Sequence, residues 1–271
     1  QAGEESLESN KWLEKHKSDE VLADSLAELV SAIGEVKNAR ESAERSWSDW
    51  RRTAGEVVAE EASALPDKLE GLSAAELDPL IGKVIEAGTQ KQDILKEAGI
   101  EARRQLKLRQ DHLDKTRLVA SLDQHRANLK PGEECPLCGS PDHPFADGSP
   151  HDTGMAELET EVTDATTKLE NAREEYRQLS DGVKRLESEK LDVLQGISRV
   201  EAGVGQLSQL LKPFATEAPR AGEEAQLQKT LQDRAGAFRT MEKQRDAAAK
   251  KKEDAASRAK LASEQAGLRG K

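Results

Sequence analysis

Residues 131–154 read PGEECPLCGSPDHPFADGSPHDTG, and this stretch decides how the chain folds. It holds both cysteines and five of the nine prolines, between two long stretches that are rich in charged residues. A helix cannot pass through it, because proline lacks the backbone donor and clashes with the preceding helical turn. The sequence therefore predicts two helical arms that meet at residues 131–154.

The composition argues against a compact core. Of the 271 residues, 34% are charged, 35% are hydrophobic and only 3% are aromatic. This composition is typical of a disordered chain or a coiled coil, and only a coiled coil spaces apolar residues every 3.5 positions on average.

No apolar run approaches the ~20 residues that span a bilayer, and no signal peptide opens the chain. We expect a soluble, cytoplasmic protein without membrane contact. Since it begins at Gln1 in a charged, helix-like stretch, we also expect it to be part of a longer protein.

The N-terminal arm comprises residues 1–64, nearer the chain ends, and 89–130, nearer the loop. Steps of four and three residues from Leu22 to Val57 meet apolar side chains everywhere except at Arg40. Trp47 and Trp50 lie on this seam and are predicted to be core residues. In the second part the apolar residues follow two lines, which predicts a broader apolar face. They are Leu95, Ala102, Leu106, Leu113, Ala120 and Ala127 on one line, and Leu108, Leu118, Leu122 and Leu129 on the other.

The C-terminal arm comprises residues 155–212 and 223–271. Its seam is apolar at every position but Lys190, and Gly182, Gly196 and Gly203 share one place beside it, which suggests close helix approach. The seam consists of Met155, Leu158, Val162, Ala165, Leu169, Ala172, Tyr176, Leu179, Val183, Leu186, Lys190, Val193, Ile197, Val200, Val204, Leu207 and Leu211. Beyond residue 223 the seam becomes rich in alanine, so each buried residue contributes less.

Two breaks interrupt the arms, at residues 65–88 and 213–222, where prolines and glycines cluster. Ser73 and Glu76 have the spacing of a capping box, which predicts that a helix restarts there. The breaks are not equidistant from the cysteines, so either they are offset along the arms or the first one bulges outwards.

Acids predominate before Pro66 and bases after Lys229. This complementarity favours an antiparallel intramolecular hairpin over a parallel pair of chains.

Cys135 and Cys138 form a CxxC, which supplies two of the four ligands that zinc prefers. Gly139 suits the turn, since it tolerates a positive φ. The remaining ligands could be the same two cysteines of a second chain, giving one Zn²⁺ per homodimer, and this solution is favoured. An intrachain site would use His143 and His151, but a zinc knuckle would need a ligand where Gly148 stands. A redox role requires a thioredoxin-like context, whereas long helix surrounds this CxxC.

The loop CPLCGSPDHP, residues 135–144, mounted between two heptad arms, resembles the zinc hook of the SbcC family. These are SMC-like ATPases that partner an SbcD nuclease. The resemblance implies an all-α, long antiparallel intramolecular coiled-coil hairpin with a zinc-hook loop at its apex, and Cys135 and Cys138 as zinc ligands. It implies homodimerisation through the hook, and roles in DNA repair, recombination and end or hairpin processing. ATP, the nuclease and DNA would bind through head regions absent from this chain.

The catalytic parts of that family are missing from this sequence. It has no GxxxxGK[ST] phosphate loop, and Leu179-Ser180-Asp181-Gly182 resembles an ABC signature only superficially, within the most regular heptad run. We therefore expect a structural and dimerisation module without enzymatic activity. The alternative is a coiled-coil adaptor whose tip is an intrachain Cys/His zinc finger that binds protein or nucleic acid.

Overall fold

The structure, a computed structural model, describes residues 2–130, 132–136, 138–142 and 154–269. Every regular element in these ranges is a helix, as the sequence predicts. They are α1 (Ala2–Lys15), α2 (Lys17–Val57), α3 (Ala59–Ser63), α4 (Ala74–Ala127), α5 (Met155–Leu211) and α6 (Glu224–Arg269), with a short 3-10 helix at Lys212–Phe214. Over the same ranges, no helix contains an apolar stretch long enough to cross a membrane.

The chain packs as two units, and residues of α2, α4 and α5 fall in both. Unit 1 comprises Gln1–Arg51, Pro66–Leu80 and Glu189–Lys271, and unit 2 comprises Arg52–Leu65 and Ile81–Ser188.

In unit 1 the predicted seam of α2 packs against α5. Trp47 and Trp50 are fully buried and their rings stack 5.6 Å apart, so their assignment to the core is confirmed. A Cβ on Gly196 would lie 3.4 Å from the Cα of Ala43. The predicted close helix approach is therefore confirmed at this glycine.

The core of unit 1 is widest where a third helix joins this pair. Residues of α2 pack there with the end of α5, Phe214 and the first turns of α6. The buried members of this core are Leu22, Ala23, Leu29, Ile33, Val36, Leu207, Leu211, Phe214, Leu231 and Ala235. Burying the leucine, isoleucine, valine and phenylalanine side chains of this cluster stabilises unit 1 by about 1.5–3 kcal/mol each.

The first break turns back along α2 before α4 begins. Within unit 1, the indole N–H of Trp47 donates to the carbonyl of Pro66 (3.1 Å), and the carboxylate of Glu44 accepts from the backbone N–H of Leu69 (2.9 Å). Residue numbers rise along the break as they fall along α2, so the segment runs antiparallel to that helix. It is non-helical only over residues 64–73, a shorter stretch than the predicted 65–88.

A capping box starts α4, as its sequence spacing predicts. The backbone N–H of Ser73 donates to the carboxylate of Glu76 (2.9 Å), and the backbone N–H of Glu76 donates to the hydroxyl of Ser73 (3.3 Å). Pro79 lies inside the helix that follows. The helix is held against α5 at Lys190, the one polar residue of the α5 seam, whose ammonium lies 2.6 Å from the carboxylate of Asp78.

The second break also turns back, and Arg40 holds it. This arginine, the one exception in the α2 seam, donates to the carbonyl of Pro219 (2.8 Å) and pairs with the carboxylate of Glu224. Further along, Arg234 of α6 pairs with Asp19 of α2 (2.6 Å). Between these two contacts the residue numbers fall along α2 and rise along α6, so α6 packs antiparallel to α2.

Both breaks line one cavity of about 550 Å³ in unit 1. Its walls include residues 69–72 of the first break, residues 218–221 of the second, and parts of α2 and α5. The breaks therefore lie at the same level of unit 1, although they are not equidistant from the cysteines.

In unit 2, α4 and α5 pack against each other in opposite directions. Glu161 of α5 lies 3.7 Å from Arg109 of α4, and the earlier Glu159 lies 2.9 Å from the later Arg117. Also in unit 2, α5 approaches the last residue of α2: a Cβ on Gly182 would lie 2.5 Å from a methyl carbon of Val57.

The broader apolar face expected on α4 is not buried in unit 2. Leu113, on the first predicted line, is 5% exposed, whereas Leu108 and Leu118, on the second, are 55% and 62% exposed. Of the two apolar lines that form the expected broader face, only the first is covered at these residues. A single partner helix covers only one stripe of α4, and α5 occupies the first line.

Candidate metal centre

The loop that carries the cysteines begins just beyond the end of α4. The helix stops at Ala127, slightly before its predicted end at Lys130. Asn128 and Leu129 then donate their backbone N–H groups to carbonyls of the last helical turn (3.2 and 3.0 Å). Gly132 has a φ of +87°, in the left-handed region that glycine tolerates, and the chain turns away from the helix axis.

Both cysteines lie in one tight turn closed by backbone hydrogen bonds. The N–H of Gly139 donates to the carbonyl of Cys135 (2.7 Å), and the N–H of Cys135 donates to the carbonyl of Ser140 (3.0 Å). Gly139 has a φ of +71°, so the positive φ expected from the sequence is confirmed. A residue with a Cβ would be strained there, which explains the glycine directly after Cys138.

The two thiols differ in exposure. Cys135 is buried, at 4% exposure, whereas Cys138 lies on the surface of the loop. The hydroxyl of Ser140 donates to the carbonyl of Asp142 (2.9 Å) and accepts from the backbone N–H of that residue (3.3 Å). The loop thus exposes Cys138 and buries Cys135.

The histidines considered for an intrachain site, His143 and His151, lie outside the described residues. In the part of the chain that the structure describes, no group of three or more His, Cys, Asp or Glu side chains is placed to hold a metal ion. Of the four candidate ligands, the described residues therefore include Cys135 and Cys138, which lie in one turn.

The donor set of this turn fits a zinc ion as half of a site. Two cysteines at CxxC spacing, in a turn that contains a glycine with positive φ, are the residues and the spacing with which a short loop can bind zinc. Tetrahedral coordination needs four protein ligands in a structural site. The described part of the loop supplies two of them.

The segment Leu179-Ser180-Asp181-Gly182 lies within α5. Leu179 is buried, at 7% exposure, and Gly182 packs against Val57. Both residues are used in helix packing, as expected for an ordinary part of the heptad run.

Sequence reasoning left Arg40 and Lys190 as exceptions without partners, yet each makes an ion pair within unit 1. The only signal they carry in the sequence is a charge at a seam position. Such a charge is costly to bury unless it is paired, and this cost indicates that a partner exists without identifying it.

No family model, curated protein or solved structure matches this chain. Its function must therefore be inferred from its own residues and their geometry.

Proposed function

We propose that this chain is a zinc-mediated dimerisation and tethering module. In this proposal the helices form a long antiparallel coiled-coil hairpin with a zinc hook at its apex. The observation that carries the proposal is the closed two-cysteine turn, which follows α4 and precedes α5, two helices that pack antiparallel in unit 2. Half of a tetrahedral site at such a position favours completion by a second copy of the same turn.

The ligands would be Cys135 and Cys138 of each chain, with one Zn²⁺ per dimer. When bound, zinc would join the two chains, because each chain contributes two of its four ligands. The thiols must lose their protons to bind, so dimerisation would weaken as the pH falls. It would also depend on protein concentration, since two chains contribute to each site.

The loop and its setting support a wider assignment to an SbcC-like ATPase, acting with an SbcD-like nuclease in double-strand-break repair and in DNA end or hairpin processing. This chain would be a cytoplasmic structural arm without enzymatic activity of its own. ATP hydrolysis, nuclease binding and DNA contact would belong to head regions of the longer protein. The arm would hold two such assemblies, or two arms of one assembly, at a defined separation.

The zinc-to-protein ratio, measured together with the mass in solution, tests the proposal. We expect one zinc per two chains, and a chelator should convert the dimer to a monomer. One zinc per chain with an unchanged oligomeric state would instead indicate an intrachain Cys/His finger, and would contradict the hook.

Paired variants sharpen this experiment. Replacing Cys135 and Cys138 by serine should abolish zinc-dependent dimerisation and leave helical content nearly intact, because the helix seams do not use the metal. His143→Ala with His151→Ala serves as the matched control and should leave the dimer unchanged. Loss of zinc in the histidine variant would support the intrachain finger.

A further inference from the structure

An apolar notch lies between α4 and α5 in unit 2, and its volume is about 280 Å³. Its floor is formed by Leu95 of α4 and by Leu169 and Tyr176 of α5. Gln92 donates to the hydroxyl of Tyr176 (3.4 Å), so the polar end of this side chain has a partner while its ring lines the notch. The notch has room for about one or two large side chains, and is smaller than the usual pocket for a drug-sized ligand.

Gly99 keeps this notch open. A Cβ at this position would meet no atom within 4 Å, so no contact within the chain requires a glycine here. Glycine inside a helix is destabilising by roughly 0.5–1 kcal/mol relative to alanine. The next residue, Ile100, is 57% exposed and extends the apolar surface at the edge of the notch.

Three cations surround the notch: Lys96, Arg103 and Arg173. All three are exposed, and none makes an ion pair or a side-chain hydrogen bond with the residues that the structure describes. By contrast, Arg109 and Arg117 further along α4 pair across the interface with glutamates of α5. In a chain of net charge −11, three unpaired cations around one apolar notch form a local site for an anionic group.

We propose that this notch binds an acidic peptide segment of a partner protein. A large apolar side chain of the peptide would occupy the notch, and its flanking carboxylates would face Lys96, Arg103 and Arg173. The apolar floor provides affinity and the cations provide orientation and a faster encounter. This surface is separate from the cysteine turn and does not require zinc.

Nucleic acid fits this surface less well. Phosphate contacts dominate nucleic-acid affinity, and they work best along an extended basic stripe. Here the cations border an apolar notch, which a phosphate group would not fill. A ligand that combines one apolar group with a few carboxylates matches both features of the site.

The test uses a fluorescently labelled peptide of acidic residues with one central phenylalanine, titrated with the full chain and followed by anisotropy. We expect binding that weakens as salt is raised, since exposed charges are screened over about 10 Å at 0.1 M ionic strength. Arg103→Glu combined with Arg173→Glu should weaken binding by about tenfold or more. Arg104→Glu, an exposed and unpaired arginine that does not line the notch, is the matched control and should retain nearly wild-type affinity.

Filling the notch gives a second, independent readout. The Cβ of Gly99→Leu would meet no atom within 4 Å, so helicity should be kept while the larger side chain reduces peptide binding by about tenfold. Gly205→Leu, at an equally open glycine of α5, should leave binding unchanged. Two results would overturn the proposal: equal binding of a peptide with serine in place of phenylalanine, or a single-stranded oligonucleotide that binds through the same arginines and is unaffected by Gly99→Leu.

Discussion

Removing the guanidinium of Arg40 should destabilise unit 1 more than removing any exposed charge of α2. The side chains of Arg40 and Glu224 are 18% and 6% exposed, so the pair is largely withdrawn from water. In Arg40→Met the carboxylate of Glu224 stays buried without its cation. Breaking a buried pair in this way costs about 3–5 kcal/mol. The lost hydrogen bond to the carbonyl of Pro219 adds about 1 kcal/mol.

Urea unfolding followed by tryptophan fluorescence is a suitable assay. All three tryptophans of the chain fall in unit 1, and Trp47 and Trp50 are fully buried there. A loss of at least about 3 kcal/mol in the free energy of unfolding should appear as a lower midpoint at an unchanged slope. Adding Glu224→Gln to Arg40→Met should recover part of this loss, because the uncompensated charge is removed.

Two comparisons decide whether burial is the cause. Arg45→Met removes an exposed arginine that, among the described residues, donates only to a carbonyl of its own helix, and this change should cost under about 0.5 kcal/mol. Lys190→Met breaks a pair whose side chains are 33% and 53% exposed, and should cost under about 1 kcal/mol. If Arg40→Met is no worse than Arg45→Met, the pair with Glu224 does not hold the second break in place.

Two further substitutions test the packing and the helix start. Gly182→Ala would put a Cβ 2.5 Å from a methyl carbon of Val57 and should destabilise unit 2 by about 1–3 kcal/mol, whereas Gly205→Ala, in open space on the same helix, should stabilise by up to about 1 kcal/mol. Equal effects in thermal unfolding, followed by circular dichroism, would disprove the contact. Hydrogen bonds from the backbone and hydroxyl of Ser73 lower the pKa of Glu76. The capping box therefore stabilises the helix fully at pH values above the ordinary pKa of glutamate. This stabilisation is lost as the pH falls through the lowered pKa of Glu76. Ser73→Ala should raise the pKa of Glu76 towards its ordinary value in an NMR titration, and an unchanged pKa would contradict the assignment.

The local features of this fold could be predicted because each depends on neighbouring residues. The seam that contains Trp47 and Trp50 follows from helical periodicity, and the capping box of Ser73 follows from two residues three positions apart. The turn at Cys135 also closes within a few residues, and Gly139 adopts the conformation that its lack of a side chain allows.

What the tertiary structure alone decided is which segments meet. The sequence marks Arg40 as a charge on an apolar seam, but its partner Glu224 lies 184 residues away. Periodicity likewise identifies Leu108 and Leu118 as apolar positions of α4 without saying which element covers them, and α5 leaves both exposed. The physical reason is that a helix face depends on residues within a few turns. The partner of that face depends on the path of the whole chain.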